Sequence, residues 1–224
     1  MEIRDDGRGK RFSKPTEKGI YAIGADVAEG LQTGDASSAV VIDKELNICA
    51  TWHGKVDPDQ FGELLCRLGS YYNNALIAVE INNHGHATSA AIKRRGYLNV
   101  YTRVTKEERG EGYTKKIGWQ TNLKTKGLMI DTFVACVRDN TCEVTDTDLL
   151  KEMVGLSVEP DGKVILNGQD RTVAICIALQ AIGQANSGDF KAKVPYAETI
   201  TPKTIKEKID FYERRRVADN QFGE

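Results

Sequence analysis

The sequence predicts an α/β fold: a mixed central sheet, three antiparallel strands followed by parallel ones, with helices on its faces. Three observations carry that expectation. Apolar runs of strand length recur at 20–26, 38–42 and 46–53 with short polar turns between them, the pattern of a meander. A helical stripe follows Asp57-Pro58, with Phe61, Leu64, Leu65 and Leu68 spaced i, i+3, i+4, i+7. A continuous apolar run, Ala75 to Val79, then comes after the helix, as expected of a buried central strand.

Taken in order, residues 1–18 are polar, carry both charge signs and include Pro15, so they are expected to be a flexible N-terminal tether. Ile20 to Asp26 is a buried strand ending in an acid, Gly30 to Asp35 a turn, and Ser38–Ile42 and Leu46–His53 complete the meander. Asp57 caps the first helix, Pro58 takes its first position and Gly69 helps end it. Ala75–Glu80 again ends in an acid. A helix from about Ala87 to Arg95 and a short strand Asn99–Thr102 close a strand-helix-strand unit. After a basic stretch, Ile130, Phe133, Val134 and Val137 line a third helix, and a fourth spans Asp148–Val154. Leu156–Glu159 and Lys163–Leu166 flank Pro160-Asp161-Gly162 as a hairpin. Thr172 to Ile182 is apolar on nearly every side, a deeply buried helix beginning just after Asp170. Residues 19–185 are thus expected to form the folded domain, and 186–224 a polar C-terminal tail with a helix around 203–216.

A chain of 224 residues buries enough surface, about 70%, to fold without disulfides. Its five cysteines form no C-x-x-C pair, against a zinc ribbon or a disulfide framework and in keeping with a reducing compartment. No stretch approaches eighteen consecutive apolar residues and the start carries no apolar signal core, so a secreted or membrane reading is disfavoured. The net charge is −1, which gives no global pull toward nucleic acid. Residues 93–126, however, hold ten Lys and Arg against three acids, the mark of either a solvated loop or a polyanion contact.

Three acids stand at the ends of buried elements: Asp26, Glu80 and Asp170. Each alone reads as a turn or cap residue. Together, two central strands would bring their terminal carboxylates to one sheet edge and a helix N-terminus would add the third. Clustered carboxylates repel unless a cation lies between them, and Mg²⁺ or Mn²⁺ prefers oxygen ligands. One or two such ions support phosphodiester hydrolysis by activating water and stabilising the leaving oxygen.

Four stretches carry a resemblance. They are Tyr21-Ala22-Ile23-Gly24-Ala25-Asp26-Val27-Ala28-Glu29-Gly30 with Gly34-Asp35-Ala36-Ser37, then Val79-Glu80-Ile81-Asn82-Asn83-His84-Gly85, then Lys116-Ile117-Gly118-Trp119-Gln120-Thr121-Asn122, and last Gly168-Gln169-Asp170-Arg171-Thr172-Val173-Ala174. With the element order, they resemble the ribonuclease H-like nuclease fold, and within it the nuclease domain of the phage terminase large subunit, over about residues 20–183. The resemblance implies a metal-dependent endonuclease cutting concatemeric double-stranded viral DNA during packaging, with Asp26, Glu80 and Asp170 as catalytic metal ligands. It also implies the terminase ATPase domain, portal and small subunit as partners, no membrane, and the cytoplasm of an infected bacterium as location. Many relatives carry His-Asp-Asp where this chain has Gln169-Asp170-Arg171, so a second acid at that place is missing.

Around this core the roles stay open between two readings each. Asp35 is an outer carboxylate of the metal site or a turn cap. Asn82, Asn83 and His84 hydrogen-bond the site or contact DNA, or only open a helix. Lys115 and Lys116 contact phosphates or are solvated, and Arg171 touches the scissile phosphate or pairs with an acid. Trp119 is expected in the core and His53 as a structural strand residue. The Asp161-Gly162 hairpin leads into Asp170 and is expected to gate the DNA path. An actin-like or sugar-kinase ATPase would need a second lobe, and no G-x-x-x-x-G-K-[ST] occurs, so the chain reads as a nuclease part alone. The rival readings are a resolvase or transposase of the same fold and a non-catalytic docking module.

Overall fold

Gly9–Arg11 (β1), Tyr21–Asp26 (β2), Ser37–Asp43 (β3), Ile48–Gly54 (β4) and Leu76–Val79 (β5) form one sheet in the order β1-β4-β3-β2-β5. β2 runs antiparallel to β3 and parallel to β5, as the pattern of apolar runs predicts. The helices are α1 (Pro58–Tyr71), α2 (Gly85–Arg94), α3 (Leu123–Arg138), α4 (Thr147–Val154) and α5 (Asp170–Ala181). The computed structural model describes residues 8–30, 35–81, 84–106, 112–158, 164–165 and 168–185, all within a compact unit spanning Met1–Ala192.

β2, β3 and β5 are apolar without alternation because both sheet faces are covered. On one face Ala22, Val40, Ile42 and Ala78 pack against Ala174, Ile177 and Ala178 of α5, with Met129 and Phe133 of α3 and Leu149 of α4 behind. On the other, Ile23, Ala25 and Val41 meet Phe61 and Leu65 of α1 and Ile92 of α2. Each fully buried Phe, Leu or Ile contributes about 1.5–3 kcal/mol. Among the described residues no helix is long and apolar enough to cross a membrane.

Gly24 decides how close α5 lies. A Cβ there would overlap the Ala174 carbonyl oxygen and the Ala178 nitrogen, so only glycine lets the helix backbone rest on the strand. Asp170 sits one turn before Ala174, and Asp26 two residues beyond Gly24 on the same face.

A β-bulge decides which way the end of β4 faces. The β3–β4 register shifts between Val41 and Ile42: Ile42 pairs with Ile48, but Val41 pairs with Ala50. Cys49 is the extra residue, and Cys49 and Ala50 both join the α1–α2 core. The Cys49 carbonyl accepts from the backbone N–H of Phe12 (2.9 Å) and Ser13 (3.1 Å), and the Tyr72 hydroxyl lies 3.2 Å away. Beyond the bulge the faces of β4 are exchanged, so Thr51 and His53 look toward α5.

The structure corrects several expectations. The tether reading fails for Gly9–Arg11, which pair with Ala50–Trp52 at the sheet edge, and Lys10 reaches Asp146 at 2.7 Å. A short polar strand has no hydrophobic signature, so composition alone hides it. α1 runs past Gly69, which instead makes room for the Tyr97 hydroxyl. Val134 on α3 is exposed, with Met129, Ile130 and Phe133 forming the buried stripe. The strand expected at Asn99–Thr102 is only a bridge from Val100 to Ile77. The chain instead continues as Thr102–Lys106 (β6), which pairs antiparallel with Tyr113–Ile117 (β7) as a separate ribbon. The later hairpin is present as Ser157–Val158 (β8) and Val164–Ile165 (β9). Its tip at 160–162, the turn residues 31–34, Asn82, Asn83 and the tail 186–224 lie outside the described residues.

Candidate active site

Asp26 is the last residue of β2, at the carboxyl edge of the sheet. Glu80 follows β5 and is held on both sides: its N–H donates to the Ala25 carbonyl (2.8 Å), and the next residue, Ile81, donates to Trp119 (2.6 Å). Trp119 in turn donates to Val79 (2.8 Å) and is buried, so it is a core residue that fixes the Glu80 backbone. Gly118 before it has φ +83°, and a Cβ there would strike Ile81. Asp170 opens α5.

The three sequence-predicted acids therefore meet. The Asp26 carboxyl is pushed well above its ordinary pKa, first by burial, then by the charge of Glu80, a hydrogen bond shared with Glu80, and the charge of Asp170. Asp26, Glu29, Asp35, His84 and Asp170 line a cleft of about 460 Å³; Glu80 does not line it but abuts Asp26 from the neighbouring strand. Asp35 is exposed on the rim. His84 stands at the start of α2 with Nε2 3.0 Å from Glu29 Oε1.

His53 and Arg171 each take an acid as partner. His53, expected as a structural strand residue, has its Nε2 3.0 Å from Asp170 Oδ2. Arg171 takes the second of its two expected readings and pairs with an acid, Nη1 donating to Glu152 Oε1 at 2.8 Å, while the Thr172 N–H donates to Glu152 Oε2 at 2.9 Å. Its part is to anchor the start of α5 on α4. Glu29 has no signal in the sequence beyond lying after Asp26; His53 could be found only from the bulge.

Lys115 and Lys116 lie on β7, every residue of which is exposed, across from Val104 and Arg103. Arg103 Nη1 caps the Ile117 and Gly118 carbonyls, both at 2.8 Å, bracing the base of the ribbon.

An all-oxygen set of like charges in a desolvated place suits a hard divalent cation. Among the described residues no three His, Cys, Asp or Glu side chains already close around one point as a finished cage. Asp26 and Glu80 bond each other, and one Asp170 oxygen is taken by His53. A cation would replace the first of these bonds and use the other oxygen of Asp170.

No protein-family model and no curated protein sequence matches the chain. Solved structures do. The large terminase nuclease of the thermophilic phage G20c with bound magnesium is 15% identical, with a TM-score of 0.62 over 79% of this chain and 89% of that one. The large terminase nuclease domain of Thermus phage P74-26 is 14% identical with a TM-score of 0.55, over 77% and 84%. The human cytomegalovirus terminase nuclease domain, manganese-soaked and inhibitor-bound, is 10% identical with a TM-score of 0.51, over 76% and 88%. The fold is ribonuclease H-like, the fold of these nuclease domains.

Proposed function

We propose that this chain is the divalent-metal-dependent endonuclease domain of a phage DNA-packaging terminase, hydrolysing phosphodiester bonds of concatemeric double-stranded viral DNA. The observation that carries the reading is the convergence of Asp26, Glu80 and Asp170 at the carboxyl edge of this sheet. The fold shared with terminase nuclease domains, one of them holding magnesium, supports it.

Asp26, Glu80 and Asp170 would hold one or two Mg²⁺ or Mn²⁺ ions, with Asp35 placed to add an outer carboxylate. The bound cation would supply Lewis acidity and a lowered water pKa. The chain's own residues do the rest. Burial and the neighbouring Glu80 and Asp170 raise the Asp26 pKa, and a cation held among the three would offset that repulsion. Lys115 and Lys116, with His84 at the cleft, would contact the DNA backbone, which positions a duplex without reading its sequence; Asn82 and Asn83 join them by the sequence resemblance alone. The corresponding setting is the cytoplasm of an infected bacterium, beside the terminase ATPase, portal and small subunit.

Nicking of supercoiled plasmid tests the reading. Mn²⁺ or Mg²⁺ should support cleavage, EDTA should stop it, and Asp26→Asn should abolish it. Preference for branched over linear duplex would replace the terminase reading with a resolvase, and inertness toward every DNA with Mn²⁺ present would leave a docking module.

A further inference from the structure

Three features converge on one residue that the proposed chemistry does not use. The register Asp26↔Ser38↔His53 sets these side chains in one row across β2, β3 and β4. The bulge at Cys49 turns His53 to the α5 face; with unbroken alternation Trp52 would stand opposite Ser38 instead. Asp170, delivered from above by α5, meets the imidazole at 3.0 Å. Neither side chain is fully exposed, at 27% for His53 and 17% for Asp170.

We propose that His53 is a positioning residue for the nuclease site: its Nε2–H donates to Asp170 Oδ2 and fixes the carboxylate so that Oδ1 serves the metal. The inference rests on the endonuclease reading above. Ligating carboxylates need a second hydrogen bond to hold their orientation, because an unrestrained χ2 spreads the oxygens over many positions. Arg171, the residue beside Asp170, is committed to Glu152 and so is not the group that orients the Asp170 carboxylate, whereas His53 touches it directly. The role requires an N–H at Nε2, which both the neutral Nε2–H tautomer and the imidazolium supply.

The test compares the parent, His53→Ala and His53→Gln, since the glutamine amide can place a donor near the Nε2 position. Three readouts are taken on the full chain: Mn²⁺ affinity by calorimetry, kcat and KM for plasmid nicking, and metal-free melting. His53→Ala should weaken Mn²⁺ binding about 10–100-fold. Its kcat should fall at limiting metal with KM for DNA unchanged, and His53→Gln should restore affinity to within about threefold of the parent, below that range. A His53→Ala protein that melts lower yet binds Mn²⁺ as the parent does would make the residue structural and overturn the proposal. A parent that neither binds Mn²⁺ nor cuts DNA would instead remove the endonuclease reading, and this inference with it.

Discussion

Asp26 is a buried carboxyl set against two other acids. Burial and two neighbouring acids disfavour its charge, so its folded-state pKa stands above that of the unfolded chain. The folded state therefore holds a proton that the unfolded state releases as pH rises through the window between the two values, and stability is lost across that window. The metal-free parent should melt at a lower temperature at about pH 8 than at about pH 5, and Asp26→Asn should flatten this slope. At neutral pH the metal-free variant should be as stable as the parent or slightly more so, since it removes a repelled charge and keeps the shape. Thermal melts across pH check this; an Asp26→Asn protein several degrees less stable would make Asp26 a structural cap. Asp146 is the opposite case. Burial works to raise its pKa, but bonds from Lys10 (2.7 Å) and Thr51 (2.6 Å) outweigh it and hold the carboxyl below its ordinary range. Asp146→Ala leaves both donors without it and uncaps α4, a loss of about 2–4 kcal/mol. That loss should be full at neutral pH and shrink as pH falls through the lowered pKa, as denaturant midpoints would report.

Among the elements, α5 and β2 make the contact on which the site depends. Gly24 is the point of closest approach, and Gly24→Ala must push the helix away or bend the strand. Overpacking of this kind costs about 1–3 kcal/mol. It also displaces Asp170 from Asp26, and a shift of about 1 Å at a reacting centre can cost 10²-fold in rate. The variant should therefore fold, unfold at a lower denaturant midpoint, and nick plasmid far more slowly than its stability loss explains. Parent-like nicking would show that the acids tolerate a different helix position. The strand β4 depends on its bulge in a similar way. The Cys49 carbonyl is satisfied from the 12–13 segment that follows β1, so the polar N-terminal stretch supports the strand that carries His53.

At the scale of the whole molecule, charge is divided between two places. The cleft gathers Asp26, Glu29, Asp35 and Asp170, with Glu80 against Asp26 behind it, while the β6–β7 ribbon carries Arg103, Lys106, Lys115 and Lys116. Net charge near zero conceals this separation. Reversing Lys115 and Lys116 to Glu should weaken DNA binding alike for all sequences and lower the log–log salt slope by about one for each phosphate no longer neutralised. Folding should not change, because both side chains are exposed. An unchanged salt slope would remove the ribbon from the DNA path. Mn²⁺ should raise the melting temperature of the parent, by about 2.7 kcal/mol of stability at a hundredfold excess over Kd, and should do so less in Asp26→Asn.

The sequence by itself determined the meander, the parallel return of β5, both covering layers and the three acids. These follow from local signals: runs of apolar residues, the Asp57-Pro58 cap, and acids at the ends of buried segments. Hydrophobic burial is the main force driving the chain together, and its periodicity is written along the residues. What only the tertiary structure decided depends on register and on close approach. β1 is hidden in the sequence because Gly9–Arg11 are polar and gain their order from pairing with β4. The ribbon is hidden because its strands bury little and are held by each other. His53 reads as structural along the chain because one inserted residue, Cys49, exchanges the faces of β4, and a bulge has no local signature. Arg171 stays between two readings until Glu152 on α4 comes into reach. The carboxylates can be named from the sequence, but their partners cannot, since hydrogen bonds between residues a hundred positions apart are fixed by packing.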